Sequence, residues 1–236
     1  MAEAPIGTIT FLFTDVEGST RLWQQHPEAM PEALAQHDRI LRDAIEANNG
    51  YVFSTGGDSF ATAFADPLDA VRAALDAQHA LSLADWGEVE ALKVRMALDT
   101  GLAQHRDDDY FGPPLNRVAR IEETAEGGHI LLSNTTADLV RYGLPAGFIL
   151  EGLGERKLRD VERPVTIFQL QSESEVPAGV SRGFLIGGLA ASGAVLAVIV
   201  IATIVLATRS PSASQPDADD VGDSSGQPTT SPIWSV

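Results

Sequence analysis

The chain contains no cysteine. Disulfides, thiolate nucleophiles and cysteine-ligated zinc are therefore excluded. Positive charge is scarce: 16 Lys and Arg stand against 33 Asp and Glu, giving a net charge of −17 over 236 residues. A clustered basic footprint for nucleic acid is absent, and no nucleic-acid partner is expected. An acidic protein that handles phosphates must find local positive charge in metal ions, helix N-termini or a few placed arginines. Histidine is sparse too, and its 5 copies (His26, His37, His79, His105, His129) include no close-spaced metal pair. Each reads most simply as a surface or satisfied core residue. No internal repeat is visible.

What the chain does have is a change of character near its C-terminus. Residues 1–171 read as globular and 172–182 as a short polar linker. Residues 183–207 carry no charge and run from Gly-Phe-Leu-Ile-Gly-Gly-Leu to Ile-Val-Leu-Ala. A helix over that range would span roughly 37 Å at 1.5 Å per residue, enough to cross a ~30 Å hydrocarbon core. The expectation is a single transmembrane helix, and its small residues four apart (Gly183 and Gly187, Gly187 and Ala191) permit close helix pairing. Residues 208–236 read as a disordered acidic tail rich in Ser and Pro. Arg182 and Arg209 flank the span evenly, so charge does not orient it. The domain carries no export signal, which predicts a cell-membrane protein with a cytoplasmic domain and the tail outside.

Within the globular part, strands and helices alternate. Ile9–Thr14 is a nearly continuous apolar run, suited to a strand buried on both faces. Leu34, Ile40, Leu41, Ala44 and Ile45 recur at helical spacing before Asn48-Asn49-Gly50. Tyr51–Ser54 and Ser59–Phe64 flank a glycine turn, a hairpin signal. Asp66-Pro67 opens a helix, Leu92–Leu98 reads as a strand, and Pro113-Pro114 opens another helix through about Glu123. His129–Ser133 reads as a strand, Thr135–Arg141 as a short helix, and final strands fall near Arg156–Arg159 and Val165–Leu170. This order predicts an α/β fold, an α+β sandwich of the ferredoxin-like type.

Two segments place carboxylates where chemistry is done. Phe-Leu-Phe-Thr-Asp-Val-Glu-Gly-Ser-Thr puts Asp15 where an apolar strand ends, with Gly18-Ser19-Thr20 offering backbone N–H groups and an N-cap. Gly56-Gly57-Asp58 puts a second carboxylate in a tight turn. Each alone is a common turn feature, but together they suit a pair of divalent ions and a polyphosphate. Asn116 and Arg120 lie four apart on one helix face; the plain reading is a solvated face, the sharper one a fixed cation for a phosphoryl transition state. Asp107 and Asp108 read as a solvated loop. Arg156-Lys157-Leu158-Arg159 is the only dense basic cluster in the domain.

Phe-Thr-Asp-Val-Glu-Gly-Ser-Thr, Phe-Ser-Thr-Gly-Gly-Asp-Ser-Phe and Asp-Tyr-Phe-Gly-Pro-Pro-Leu-Asn-Arg-Val-Ala-Arg, in that order, resemble the class III adenylyl/guanylyl cyclase catalytic domain, in wording similar to its actinobacterial branch. The resemblance covers about residues 6–171. It implies a homodimer with sites at the subunit interface, using two divalent cations (Mg²⁺ or Mn²⁺) to turn a nucleoside triphosphate, ATP or GTP, into a cyclic nucleotide. Asp15 and Asp58 match the metal-binding aspartates. Asn116 and Arg120 match the residues that orient the ribose and stabilise the transition state from the opposite subunit. Gly18 and Ser19 match the turn whose amides approach the phosphates, Asp109 the residue that reads the base, and Arg159 the triphosphate-binding position. The family's usual lysine, partner of the base-reading acid, falls at Ser54. Serine is short and uncharged, and meets the base only through water or a shifted pose.

Two other readings compete. Gly56-Gly57-Asp58-Ser59-Phe60 resembles the diguanylate cyclase hairpin, but Ser59 replaces its glutamate. A cyclase-like dimer that binds nucleotide as a sensor is the third, and retention of all four positions Asp15, Asp58, Asn116 and Arg120 argues against it.

Overall fold

The computed structural model describes residues 3–89 and 91–175. The expected linker beyond residue 175, the span 183–207 and the tail 208–236 lie outside the described residues. The elements follow in the order β1 (Gly7–Val16), α1 (Ser19–Gln25), α2 (Met30–Ala47), β2 (Tyr51–Gly56), β3 (Ser59–Phe64), α3 (Pro67–Leu83), β4 (Val94–Arg106), β5 (Asp109–Phe111), α4 (Pro113–Glu122), β6 (Ile130–Ser133), α5 (Asn134–Val140), β7 (Phe148–Arg156) and β8 (Val165–Ser172). Two short 3-10 turns, Gly87–Val89 and Glu173–Glu175, complete the described chain. Ser172 thus ends a strand and the first residues assigned to the linker continue the domain.

The main sheet has the order β2-β3-β1-β4-β6-β8-β7, with β5 pairing β4 off this path. Its first four strands are all antiparallel neighbours. A split βαβ unit with the hairpin strand β3 set between β1 and β2 is the ferredoxin-like arrangement that the alternation predicts. β6 then adds parallel to β4, and the β7–β8 hairpin closes the far edge. Among the described residues no helix is long and apolar enough to cross a membrane.

Because side chains alternate across a strand, the sheet feeds two cores. On one face Leu12, Met96 and Leu98 pack under α2, α3 and α5 through residues such as Leu41, Val71 and Val140. On the other, Ile9, Phe11 and Ala97 pack under α4 through Val118 and Ile121. Among the described residues, helix α4 therefore holds its face of the central sheet without a second helix beside it. That places its exposed side chains at an open surface.

Local chemistry accounts for most boundaries. The Asp66 carboxylate accepts from Leu68 N–H at 2.8 Å and caps α3, with Pro67 at its first position. Two boundaries differ from the sequence reading. β4 runs to Arg106 rather than ending at Leu98, because beyond Thr100 its side chains alternate into solvent and the apolar signal fades. The penultimate strand is Phe148–Arg156, not Arg156–Arg159; it is the outer edge of the sheet, and a bulge between Gly152 and Gly154 hides its period.

Candidate active site

Asp15 stands at the end of β1, one quarter exposed. Ser59 Oγ, at the start of β3, donates to its Oδ1 at 2.9 Å, and the Arg95 guanidinium on β4 binds its Oδ2. Asp58, in the β2–β3 turn, accepts from the Val16 backbone N–H at 3.2 Å through Oδ2. That bond ties the hairpin turn to the end of β1 and brings the two aspartates to the same corner of the sheet. Asp15, Ser54, Ser59 and Glu122 line one cleft there, of about 320 Å³.

Glu122, the last residue of α4, was not singled out from the sequence, and neither was Arg95. Arg95 Nε stands 3.2 Å from Glu122 Oε1, within ion-pair reach but without hydrogen-bond alignment. Burial pushes the Glu122 carboxyl up to about 7; the Arg95 charge opposes this, and the negative charges of Asp15, Glu123 and Asp58 add to it. Arg95 leaves a trace in the sequence, as a charge that interrupts Val94–Leu98, whereas Glu122, between Ile121 and Glu123, leaves none.

The second group lies elsewhere on the chain. Asn116 is exposed on α4 and lines a separate cleft of about 800 Å³ with Gly112, Asp160 and Arg163. Arg120, one turn on, pairs with Glu123 and reaches Asp160 Oδ2 at 3.2 Å. Arg159 approaches the same two acids at 3.4 and 3.5 Å. Both expected phosphate cations are thus held in one four-charge network. Asp109 begins β5, and its Oδ1 accepts the N–H of Tyr110 at 2.7 Å. Ser54 is exposed on β2, beside the bulge after Val52.

In the turn after Asp15 the N-cap falls on the glycine of Gly18-Ser19-Thr20. The N-cap of α1 is Gly18, in the left-handed region at φ 68°, and no side chain caps the helix. Ser19 is its first helical residue instead. Glycine takes that conformation at no steric cost, which frees the serine from capping.

The structure therefore brings Asp15 and Ser54 to one cleft, with Asp58 in the turn tied to the end of β1, and Asn116 to another, with Arg120 and Arg159 paired to the Asp160 that lines it. Among the described residues no three or more His, Asp or Glu converge as a closed metal cage. The chain belongs to the adenylate and guanylate cyclase catalytic domain family, whose profile matches residues 1–172.

Its relatives specify this further. An uncharacterized protein of Mycobacterium tuberculosis is 44% identical over 168 residues, covering 70% of this chain and 56% of its own. The chain thus spans about half the length of that relative. A receptor-type adenylate cyclase of Trypanosoma brucei brucei is 31% identical over 210 residues, 71% of this chain and 17% of the larger protein. Among solved structures, an adenylate cyclase from Trypanosoma brucei in its monomeric state superposes with a TM-score of 0.64 at 31% identity, over 72% of this chain and 91% of that one. A guanylate cyclase domain from Catenaria anguillulae in complex with GTP shares the fold, with a TM-score of 0.62 at 18% identity over 70% and 97% of the two chains.

Proposed function

We propose that this chain is a nucleotide cyclase converting ATP to cyclic AMP and pyrophosphate, active as a homodimer. The observation that carries this reading is the separation of the two half-sites. The aspartate cleft and the Asn116 cleft are lined by different residues of one chain. Two copies facing each other would supply each site with one half from each subunit, as the family resemblance implies.

Asp15 and Asp58 would hold two divalent cations, Mg²⁺ or Mn²⁺. The donor set fits: both groups are carboxylates, the oxygen donors hard cations prefer, and two carboxylates leave room for substrate phosphates. The cations would supply Lewis acidity to the phosphates and lower the pKa of the ribose 3′-hydroxyl. That hydroxyl gives its proton to solvent water and its oxygen attacks the α-phosphorus. The α–β phosphoanhydride bond breaks as the new O–P bond forms, and pyrophosphate leaves. Asn116 orients the ribose. Arg120 stabilises charge on the α-phosphoryl group, leaving its Glu123 and Asp160 partners as the substrate engages it. Arg159 takes the triphosphate, and the Gly18–Ser19 backbone approaches it from the aspartate side. Asp109 and Ser54 face the base. Serine offers one short hydroxyl there, so discrimination between adenine and guanine rests mainly on Asp109.

Residues 183–207 would anchor the protein in the cell membrane as a single span, with the catalytic domain in the cytoplasm. Apolar length supports this, since the run carries no charge over its whole extent.

One observation favours a second reading, a nucleotide-binding module without turnover. Arg120 and Arg159 are both matched by acids, and Ser54 stands at the lysine position. The deciding experiment is cyclic-nucleotide production by the purified chain, offered ATP or GTP with Mg²⁺ or Mn²⁺, beside Asp58→Ala. Product lost in the variant supports the cyclase. Nucleotide bound without product supports the module.

A further inference from the structure

Asp99 and Arg117 take no part in the chemistry above, yet they form the most buried ion pair described. Asp99 lies on β4 at 0% exposure. Arg117 Nη2, from α4, stands 2.7 Å from Asp99 Oδ2. Burial pushes the Asp99 carboxyl above its ordinary range, while the nearby Arg117 guanidinium and Ser133 hydroxyl oppose that shift; the Arg117 contact is an ion pair without hydrogen-bond alignment. Next along the same face of β4 is Gly101, where a Cβ would stand 2.6 Å from Pro114 Cγ. The first turn of α4 thus rests directly on the strand, and Arg117 reaches back from it to the carboxylate.

Stability does not explain such a pair. Taking two charges out of water costs about as much as their attraction returns, and a well-packed apolar pair is often neutral or better. What the pair adds is a fixed contact. The apolar contacts of α4, through Val118 and Ile121, tolerate small rotations of the helix, whereas drawing the guanidinium away from its 2.7 Å contact leaves the buried carboxylate without a counter-charge. Arg117 follows Asn116 by one residue and precedes Arg120 by three. A rotation of α4 that broke the Asp99 contact would swing both of those side chains.

We infer that Asp99 and Arg117 are positioning residues: their buried ion pair fixes the rotation of α4 on β4 and thereby the aim of Asn116 and Arg120. This rests on the cyclase reading, which gives those two side chains their roles. A misplacement of about 1 Å remote from the reacting atoms can cost about a hundredfold in rate.

The test uses the full chain, with kcat, KM for the nucleoside triphosphate and Tm measured for Asp99→Asn, Arg117→Met, Arg117→Lys and the double replacement Asp99→Leu/Arg117→Leu. In the single variants kcat per folded protein falls ten- to a hundredfold, KM moves less than about threefold, and Arg117→Lys recovers part of the loss. The Leu/Leu protein keeps or raises Tm yet stays as slow as the singles, which a merely structural role would not produce. It also answers if a single variant fails to fold, because it leaves no unpaired charge. Wild-type kcat in the Leu/Leu protein, or kcat recovering wholly with Tm, overturns the inference. A wild-type chain that forms no cyclic nucleotide overturns the cyclase reading instead, and this inference with it.

Discussion

Glu122 joins the two half-sites within one chain: it closes the Asp15 cleft and ends the helix that carries Asn116 and Arg120. With its carboxyl near 7, the folded protein holds a proton there that the unfolded chain releases near 4.5. Between those values the native state binds the extra proton, so its stability declines as pH rises from about 4.5 to 7 and levels off above. Without added metal, the Tm of the wild type should fall across pH 5 to 7.5, and Glu122→Gln should flatten that slope. Parallel slopes in the two proteins would remove the assignment. Arg95 deepens the point. Burial opposes its charge, yet its hydrogen bond to Asp15 and the nearby carboxylates of Glu122, Asp15 and Glu17 raise its pKa further. The motif residues Asp15, Asp58, Asn116 and Arg120 were legible because short side-chain patterns name them. Arg95 and Glu122 were not: one is a charge within an apolar run and the other the first of two adjacent acids, and each acquires meaning only when two strands and a helix meet.

At the scale of elements, α4 decides the site, and its seat on β4 is narrow. Gly101→Ala would drive a methyl into Pro114. Overpacking of this kind typically costs 1–3 kcal/mol. The expected outcome is a Tm lowered in proportion and a kcat reduced more than stability alone requires; thermal unfolding beside initial rates checks both. Much of the architecture could be read in advance, since Pro113-Pro114, Asp66-Pro67 and the hairpin glycines each act through neighbours in sequence. What escaped the reading depends on partners. The outer half of β4 is held by β5 and has little core beneath it, and β7 is an edge strand whose glycines and bulge break the alternation. Gly18-Ser19-Thr20 offers an N-cap without saying which residue takes it, and backbone conformation gives that place to Gly18.

At the scale of the whole molecule, the proposal makes the dimer the catalytic unit and residues 183–207 its anchor. Deleting 183–207 should move the protein from the membrane pellet to the supernatant on fractionation; a deletion protein still in the pellet would contradict the anchor. The central claim, that each site draws Asp58 from one subunit and Arg120 from the other, has a direct test. Asp58→Ala and Arg120→Ala proteins are assayed for cyclic-nucleotide formation apart and after mixing. Apart, both are inactive. Random exchange makes half of the dimers mixed, each with one intact site of two, so the mixture should regain about a quarter of the wild-type rate. A mixture as inactive as its components, with subunit exchange verified, would contradict a site shared between two copies of this chain.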